Sequence, residues 1–355
     1  MSRILICATQ VPFVRGGAEY LVESLRDELQ RRGHTVDVVA LPFQWHPVER
    51  IIDSALAWRL LDISHVNGEP VDLVIATKFP SYLIRHARKV LWLVHQHRQA
   101  YDWYGTPLSD FDGSPSHRAV REQIFRIDSR ALNECQARFT ISHNVSRRLE
   151  RFNGLSSTPL YPPSRYAGKL WAGDYGDYIL SPARLDRAKR IDLLLAALAQ
   201  TSSPVRVIIA GTGPDRERLQ RLAADYGLGE RVSFRGFVPD DELIDLYAHA
   251  RAVYYAPVDE DYGFATVEAF GAARPVITTD DAGGVLEFVR HGENGLVSSP
   301  DPVAIAGHLD QLTCDVALAA RLGRAGRPLV DGITWDRVIG ALLGVGRKKE
   351  RGKRK

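Results

Sequence analysis

The sequence predicts an α/β fold of two doubly wound, parallel-sheet domains facing a cleft, and three observations lead to it. Short continuous apolar runs alternate with amphipathic segments along most of the chain, as expected of strands covered by helices on both faces. The alternation pauses at LYPPSRYAGK (Leu160–Lys169), where two prolines disfavour both helix and central strand, and then resumes. At 355 residues the chain is too long for one compact core and suited to two. The boundaries this predicts are 1–163 for the first domain and 164–330 for the second. A terminal helix at 331–346 is expected to return to the first domain, followed by a basic disordered tail at 347–355.

Taken in order, the first half opens with Ile4–Ala8 as a buried strand, then the pair Gly16-Gly17. A helix follows with Leu21, Val22, Leu25 and Leu29 on one face, ending near Arg32-Gly33. Further strands are expected at Val36–Ala40, Val71–Ala76, Val90–Val94 and Phe139–Ile141. Between the last two, Gln96 to Gln123 is rich in His, Tyr, Trp, Asp and Gly and reads as a long irregular segment, a usual place for function. The second half gives strands at Tyr178–Leu180, Val205–Ala210, Val232–Phe234, Ala252–Ala256 and Pro275–Thr279. Helices are expected at Ile191–Leu198, Arg216–Tyr226, Asp241–Ala250 and Thr266–Gly271.

Composition narrows the function. Apolar residues make up 45% and charged residues 25%, ordinary for a soluble globular protein, and the net charge of +3 gives no case for a nucleic-acid partner. Cys7, Cys135 and Cys314 form neither a disulfide framework nor a metal-ligand spacing, so a cytoplasmic setting is expected. No apolar run reaches membrane-spanning length. The tail RKKERGKRK is expected to be a solvated end, with weak peripheral contact to the inner, anionic face of a membrane as the sharper alternative.

The chemistry concentrates between Ala256 and Gly295. Glu260 and Glu268 are separated by seven residues, the first on a loop after a strand and the second inside a helix that begins near Gly263. Both then face the crevice at the carboxyl end of the sheet, where doubly wound folds bind ligands. An ionised Glu accepts charge-assisted hydrogen bonds from vicinal hydroxyls, so one acid suits a hexose and the other a ribose. Backbone N–H groups at Gly263 and Phe264 would favour a phosphate at the start of that helix. Two solvated surface acids would have the same spacing; the glycines and proline that follow argue for a built site. AGTGP (Ala210–Pro214) lacks the third glycine of a dinucleotide fingerprint and reads as a turn shaping the pocket. Asp259–Asp261 and Asp110–Asp112 each read D-x-D, but the first overlaps the stronger two-glutamate pattern, so no metal is expected.

The stretch from Glu260 through EAFGAARPVITTDDAGGVLEFVRHGENGLV resembles the E-x7-E signature of glycosyltransferase family 4, retaining enzymes with the GT-B fold of two Rossmann-like domains. The resemblance extends upstream through SPARLDRAKRIDLLLAAL, AGTGPDRERLQRLAADYGL and RVSFRGFVPDDELIDLYAHA, and to RGGAEYLVESLRDELQRRGHTVDVV and TWDRVIGAL at the two ends. It implies a hexosyltransferase that takes a UDP- or GDP-linked sugar as substrate, needs no cofactor or metal, and glycosylates a glycan, lipid-linked or small-molecule acceptor in polysaccharide or glycoconjugate synthesis. By that resemblance Arg184 and Lys189 contact the donor diphosphate, Glu268 binds ribose, Glu260 faces the transferred sugar, and the Gly17 amide approaches phosphate. His95 is implied to touch the sugar, with His97 as competitor, and the aromatic stretch Trp92–Gly105 is expected on the acceptor side. Asp261 and Tyr262 depart from the family's small residue and Phe, which puts the sugar preference in doubt. A non-catalytic nucleotide-sugar-binding partner, or an epimerase or phosphorylase of the same fold, is the alternative reading.

Overall fold

In the computed structural model, residues 1–345 are described; the basic tail lies outside them. The chain divides into two compact units, Met1–Arg165 with the segment from Thr334, and Tyr166–Ile333.

The first unit runs β1 (Arg3–Gln10), α1 (Gly17–Arg31), β2 (Thr35–Pro42), α2 (Arg50–Leu60), a hairpin of β3 (His65–Val66) and β4 (Glu69–Pro70), and β5 (Leu73–Ala76). It continues with β6 (Lys89–Leu93), α3 (Pro115–Asn133), β7 (Ala137–Thr140), α4 (His143–Asn153) and β8 (Thr158–Pro159). Six strands pair in parallel in the order β2-β1-β5-β6-β7-β8. All of β5 and β6 is buried, as the apolar runs Leu73–Ala76 and 90–93 require, and the Lys89 ammonium that opens β6 is satisfied by the Tyr82, Ile84 and Ala131 carbonyls. Helix α1 buries Leu21, Val22, Leu25 and Leu29, and the Glu19 carboxylate closes its amino end by accepting the Gly16 N–H at 2.9 Å.

The irregular segment ends sooner than its composition predicts. Helix α3 starts at Pro115, whose fixed φ suits a first helical position, and Ser114 caps it by accepting the His117 N–H. The last helix among the described residues, α12 (Trp335–Gly344), belongs to this first unit: Trp335 meets the buried Trp92 edge-on at 6.2 Å, and Asp336 pairs with Arg32.

The second unit runs β9 (Tyr178–Pro182), α5 (Ile191–Leu198), β10 (Arg206–Ala210), α6 (Arg216–Asp225), β11 (Val232–Gly236), α7 (Asp240–His249) and β12 (Ala252–Tyr254). After them come α8 (Phe264–Gly271), β13 (Val276–Thr279), β14 (Gly295–Ser298), α9 (Pro302–Cys314), α10 (Val316–Gly326) and α11 (Pro328–Asp331). The strands pair in parallel as β11-β10-β9-β12-β13-β14. The order reverses between β9 and β12, so the loops leaving their carboxyl ends diverge and open a crevice there. In the first unit the corresponding reversal lies between β1 and β5.

Candidate active site

In the second unit the loops after β9 and β12 bring Lys189 and Glu260 together at the switch point. Lys189 Nζ is ion-paired to Glu260 Oε2 and lies 3.2 Å from the Tyr255 hydroxyl, which itself donates to Glu260 at 2.9 Å. Both charged side chains are mostly covered, 20% exposed for Lys189 and 16% for Glu260. Desolvation is the largest influence on the Lys189 ammonium and works against its charge. The Glu260 carboxylate, with Tyr255 and Asp186, more than reverses it and holds the ammonium above its ordinary value. Burial and the same carboxylate push the Tyr255 phenol up, so it stays a neutral donor.

Glycines fix the Glu260 loop. The Glu260 N–H donates to Ala282 at 3.2 Å, and its carbonyl accepts the Gly284 N–H at 2.7 Å. A Cβ on Gly284 would lie 2.6 Å from the Asp261 carbonyl oxygen, and one on Gly283 (φ +62) would lie 2.6 Å from Asp259 Oδ1. Only glycine permits this approach, which is the physical content of the Gly283-Gly284 pair. Gly263, at φ +90, opens α8 without a side-chain cap, and Phe264 is its first residue. Glu268 sits one turn further on and accepts the Tyr247 hydroxyl at 2.8 Å. Tyr262 is 1% exposed, its ring edge-on to Phe264 and Phe288.

Arg184 is exposed and 3.7 Å from Asp186, whose carboxyl burial pushes up. Its loop is seated by the AGTGP turn. Leu185 donates to the Thr212 carbonyl at 2.9 Å, and a Cβ on Gly213 would fall 2.2 Å from the Leu185 oxygen. These glycines serve a backbone-on-backbone contact within the unit.

In the first unit Gly17 begins α1 after the β1 loop, and Lys78 Nζ, from the loop after β5, reaches Glu19 at 2.7 Å at that unit's switch point. His95 lies two residues beyond the end of β6, with Nδ1 2.6 Å from the Gln96 carbonyl oxygen. His97 is core: 8% exposed, ringed by Phe43, Phe79 and Phe111, and pushed down to about 3 by burial and by His95. Next to it runs a buried polar chain. Gln96 donates to Asn153 at 2.6 Å, Asn153 to Tyr101 at 3.4 Å, and Tyr101 and Tyr82 both to Asp128, at 2.7 and 2.8 Å. Burial pushes the Asp128 carboxyl up to about 7.

Tyr255, Tyr247 and Arg190 escape the sequence reading. The two tyrosines sit at ordinary apolar positions of a strand end and a helix stripe, so periodicity assigns them to the core. Among the described residues no helix is long and apolar enough to cross a membrane, and no group of three His, Cys, Asp or Glu side chains is arranged to hold a metal.

Two parallel six-stranded α/β units, the second with a Lys–Glu ion pair at its switch point, have the architecture of the GT-B fold. Residues 172–328 match the family described as Glycosyl transferases group 1. EpsD of Bacillus subtilis strain 168, a glycosyltransferase by name, is 36% identical over 75% of this chain and 71% of its own. The chain belongs to this glycosyltransferase family. The GDP-mannose-dependent alpha-(1-6)-phosphatidylinositol monomannoside mannosyltransferase of Mycobacterium tuberculosis is 26% identical over 96% of this chain and 97% of that one. Among solved structures, sucrose-phosphate synthase from Thermosynechococcus elongatus shares the fold with a TM-score of 0.77, at 20% identity over 98% of each chain.

Proposed function

We propose that the protein is a retaining, metal-independent family 4 hexosyltransferase. It moves sugar from a UDP- or GDP-linked donor to a glycan, lipid-linked or small-molecule acceptor in cytoplasmic steps of polysaccharide or glycoconjugate synthesis. The observation that carries this reading is the Lys189–Glu260–Tyr255 cluster at the carboxyl ends of β9 and β12, beside the uncapped start of α8. The dependence of the full-length mycobacterial relative on GDP-mannose supports a nucleotide-sugar donor.

In this reading Lys189, held in its charged form, and Arg184 offset the negative charge that grows on the departing diphosphate. The amides of Gly263 and Phe264 act on the same group. Glu268, oriented by Tyr247, takes the ribose hydroxyls, and Glu260, oriented by Tyr255, takes those of the transferred sugar. On the first unit, Gly17 and His95 serve phosphate and sugar. With retention, the acceptor attacks from the face the diphosphate leaves, and a phosphate oxygen takes its proton, so no strong protein base is required.

The test is thermal stabilisation by a panel of nucleoside diphosphates and nucleotide sugars, with and without chelator, followed by transfer assays with the ligand that binds. A shift with one nucleotide, indifferent to chelator, supports the donor site and identifies the base. No shift with any of them, or a shift abolished by chelator, overturns the reading.

A further inference from the structure

Arg190 stands next to Lys189, and its backbone is the more unusual of the two. Its φ of 49° and ψ of 45° place it in the left-handed region, where glycine is the unstrained choice. A non-glycine residue there costs free energy that contacts elsewhere must offset. The Arg190 side chain is only 14% exposed and makes five hydrogen bonds. Nε donates to the Ala256 carbonyl at 2.8 Å and Nη2 to Pro257 at 2.9 Å. The guanidinium also reaches Thr279 Oγ1 at 2.7 Å and grips both Asp281 oxygens at 2.7 and 2.8 Å.

These acceptors are the two ends of one frame. Ala256 and Pro257 lead into the loop that carries Glu260; Thr279 and Asp281 lead into the glycine pair on which that loop rests. Backbone bonds tie the same two segments, Asp259 N–H to Asp281 at 2.9 Å and Glu260 N–H to Ala282 at 3.2 Å. Arg190 therefore spans the base of the Glu260 loop while Lys189, one residue away, meets the acid at its tip.

We infer that Arg190 is a positioning residue that locks the Glu260 loop against the β13 loop and so fixes how the transferred sugar is held, an inference that rests on the proposed transferase function. It touches neither sugar nor nucleotide in this role, and Glu268, on α8, is held independently by Tyr247. Its loss should therefore fall on transfer far more than on nucleotide affinity.

The experiment compares the full chain with Arg190→Gly, whose backbone suits this conformation, and Arg190→Lys, which keeps the charge. Each is measured for transfer kcat and donor KM, and for UDP and GDP affinity by calorimetry. Arg190→Gly is expected to lose at least about tenfold in kcat, since small misplacements of a reacting geometry cost that much or more. UDP or GDP affinity should fall much less than kcat, and Arg190→Lys should recover part of the loss. Unchanged kcat, or affinity that falls in step with kcat, overturns the inference while wild-type transfer leaves the function standing. A wild type that binds and transfers no nucleotide sugar overturns both. If Arg190→Gly binds no nucleotide because it fails to fold, Asp281→Asn, which weakens the clamp from its other side, decides by the same measurements.

Discussion

A charged lysine against a carboxylate and a phenol is an expensive arrangement to bury, and it sits where the strand order of the second unit reverses. Lys189→Ala is expected to lower turnover by roughly two orders of magnitude, as removal of a group stabilising developing charge does. The melting temperature should move far less; loss of fold in proportion to activity would reduce Lys189 to a structural role. Residue-scale legibility was uneven. Glu260, Glu268 and Lys189 are picked out by the motifs around them and their resemblance to a known family, since isolated acids and lysines are ordinarily surface groups, whereas Tyr255 and Tyr247 occupy core-like positions whose hydroxyls only the fold reveals. His95 and His97 are alike in sequence, and only packing separates a histidine at a strand's exit from one walled in by three phenylalanines.

The same scale gives a pH dependence with two opposing parts. The folded Asp128 carboxyl titrates at about 7, above its ordinary 3.8, so its contribution to stability is full below 3.8 and is lost as pH rises toward 7. The folded His97 titrates at about 3, below its ordinary 6.5, so its contribution is full above 6.5 and is lost as pH falls toward 3. Each is worth a few kcal/mol, and over the shared window they largely offset. Asp128→Asn should therefore leave stability rising with pH between about 4 and 6.5 through His97 alone. Urea melts at pH 4, 5.5 and 7 would show it; a variant whose pH profile tracks the wild type would contradict the assignment of Asp128.

At the scale of elements, the strands and helices that were legible are those with long apolar runs or clear stripes, such as β1, α1, α5 and β10. Helix α3 was obscured because its capping signal, Ser114-Pro115, sits inside a stretch dominated by aromatic and acidic residues. Helix α4, with a mostly polar sequence, buries Val145 and Leu149 together with Arg148, a stripe too thin to read from periodicity. Turns carry as much of the site as helices do. Gly213→Ala would drive a Cβ to 2.2 Å from the Leu185 oxygen and so displace the loop bearing Arg184. We expect a loss of about 1–3 kcal/mol, the usual cost of such overpacking, read from a denaturant melt. An Ala variant as stable as wild type would mean that the loop yields without strain.

For the whole molecule, the break near Leu160–Lys169 is suggested by two prolines that disfavour helix and central strand, and the returning helix by the resemblance of TWDRVIGAL. The structure divides at Arg165 and again at Ile333, and the two units follow different strand orders that no sequence pattern distinguishes. Ligand binding should act at this scale by mass action. A nucleoside diphosphate at about 100 times its Kd would add roughly 2.7 kcal/mol to the stability of the native state. Differential scanning calorimetry with increasing UDP or GDP checks this, and a melting temperature independent of both would remove the nucleotide site.

The return of Trp335 to Trp92 also sets an order on the ribosome. Everything in the second unit is synthesised between two stretches of the first, so the unit begun earliest receives its last aromatic contact only after the other is entirely translated. A nascent chain halted just before Thr334 would hold a complete second sheet beside a first unit whose Trp92 still lacks its partner.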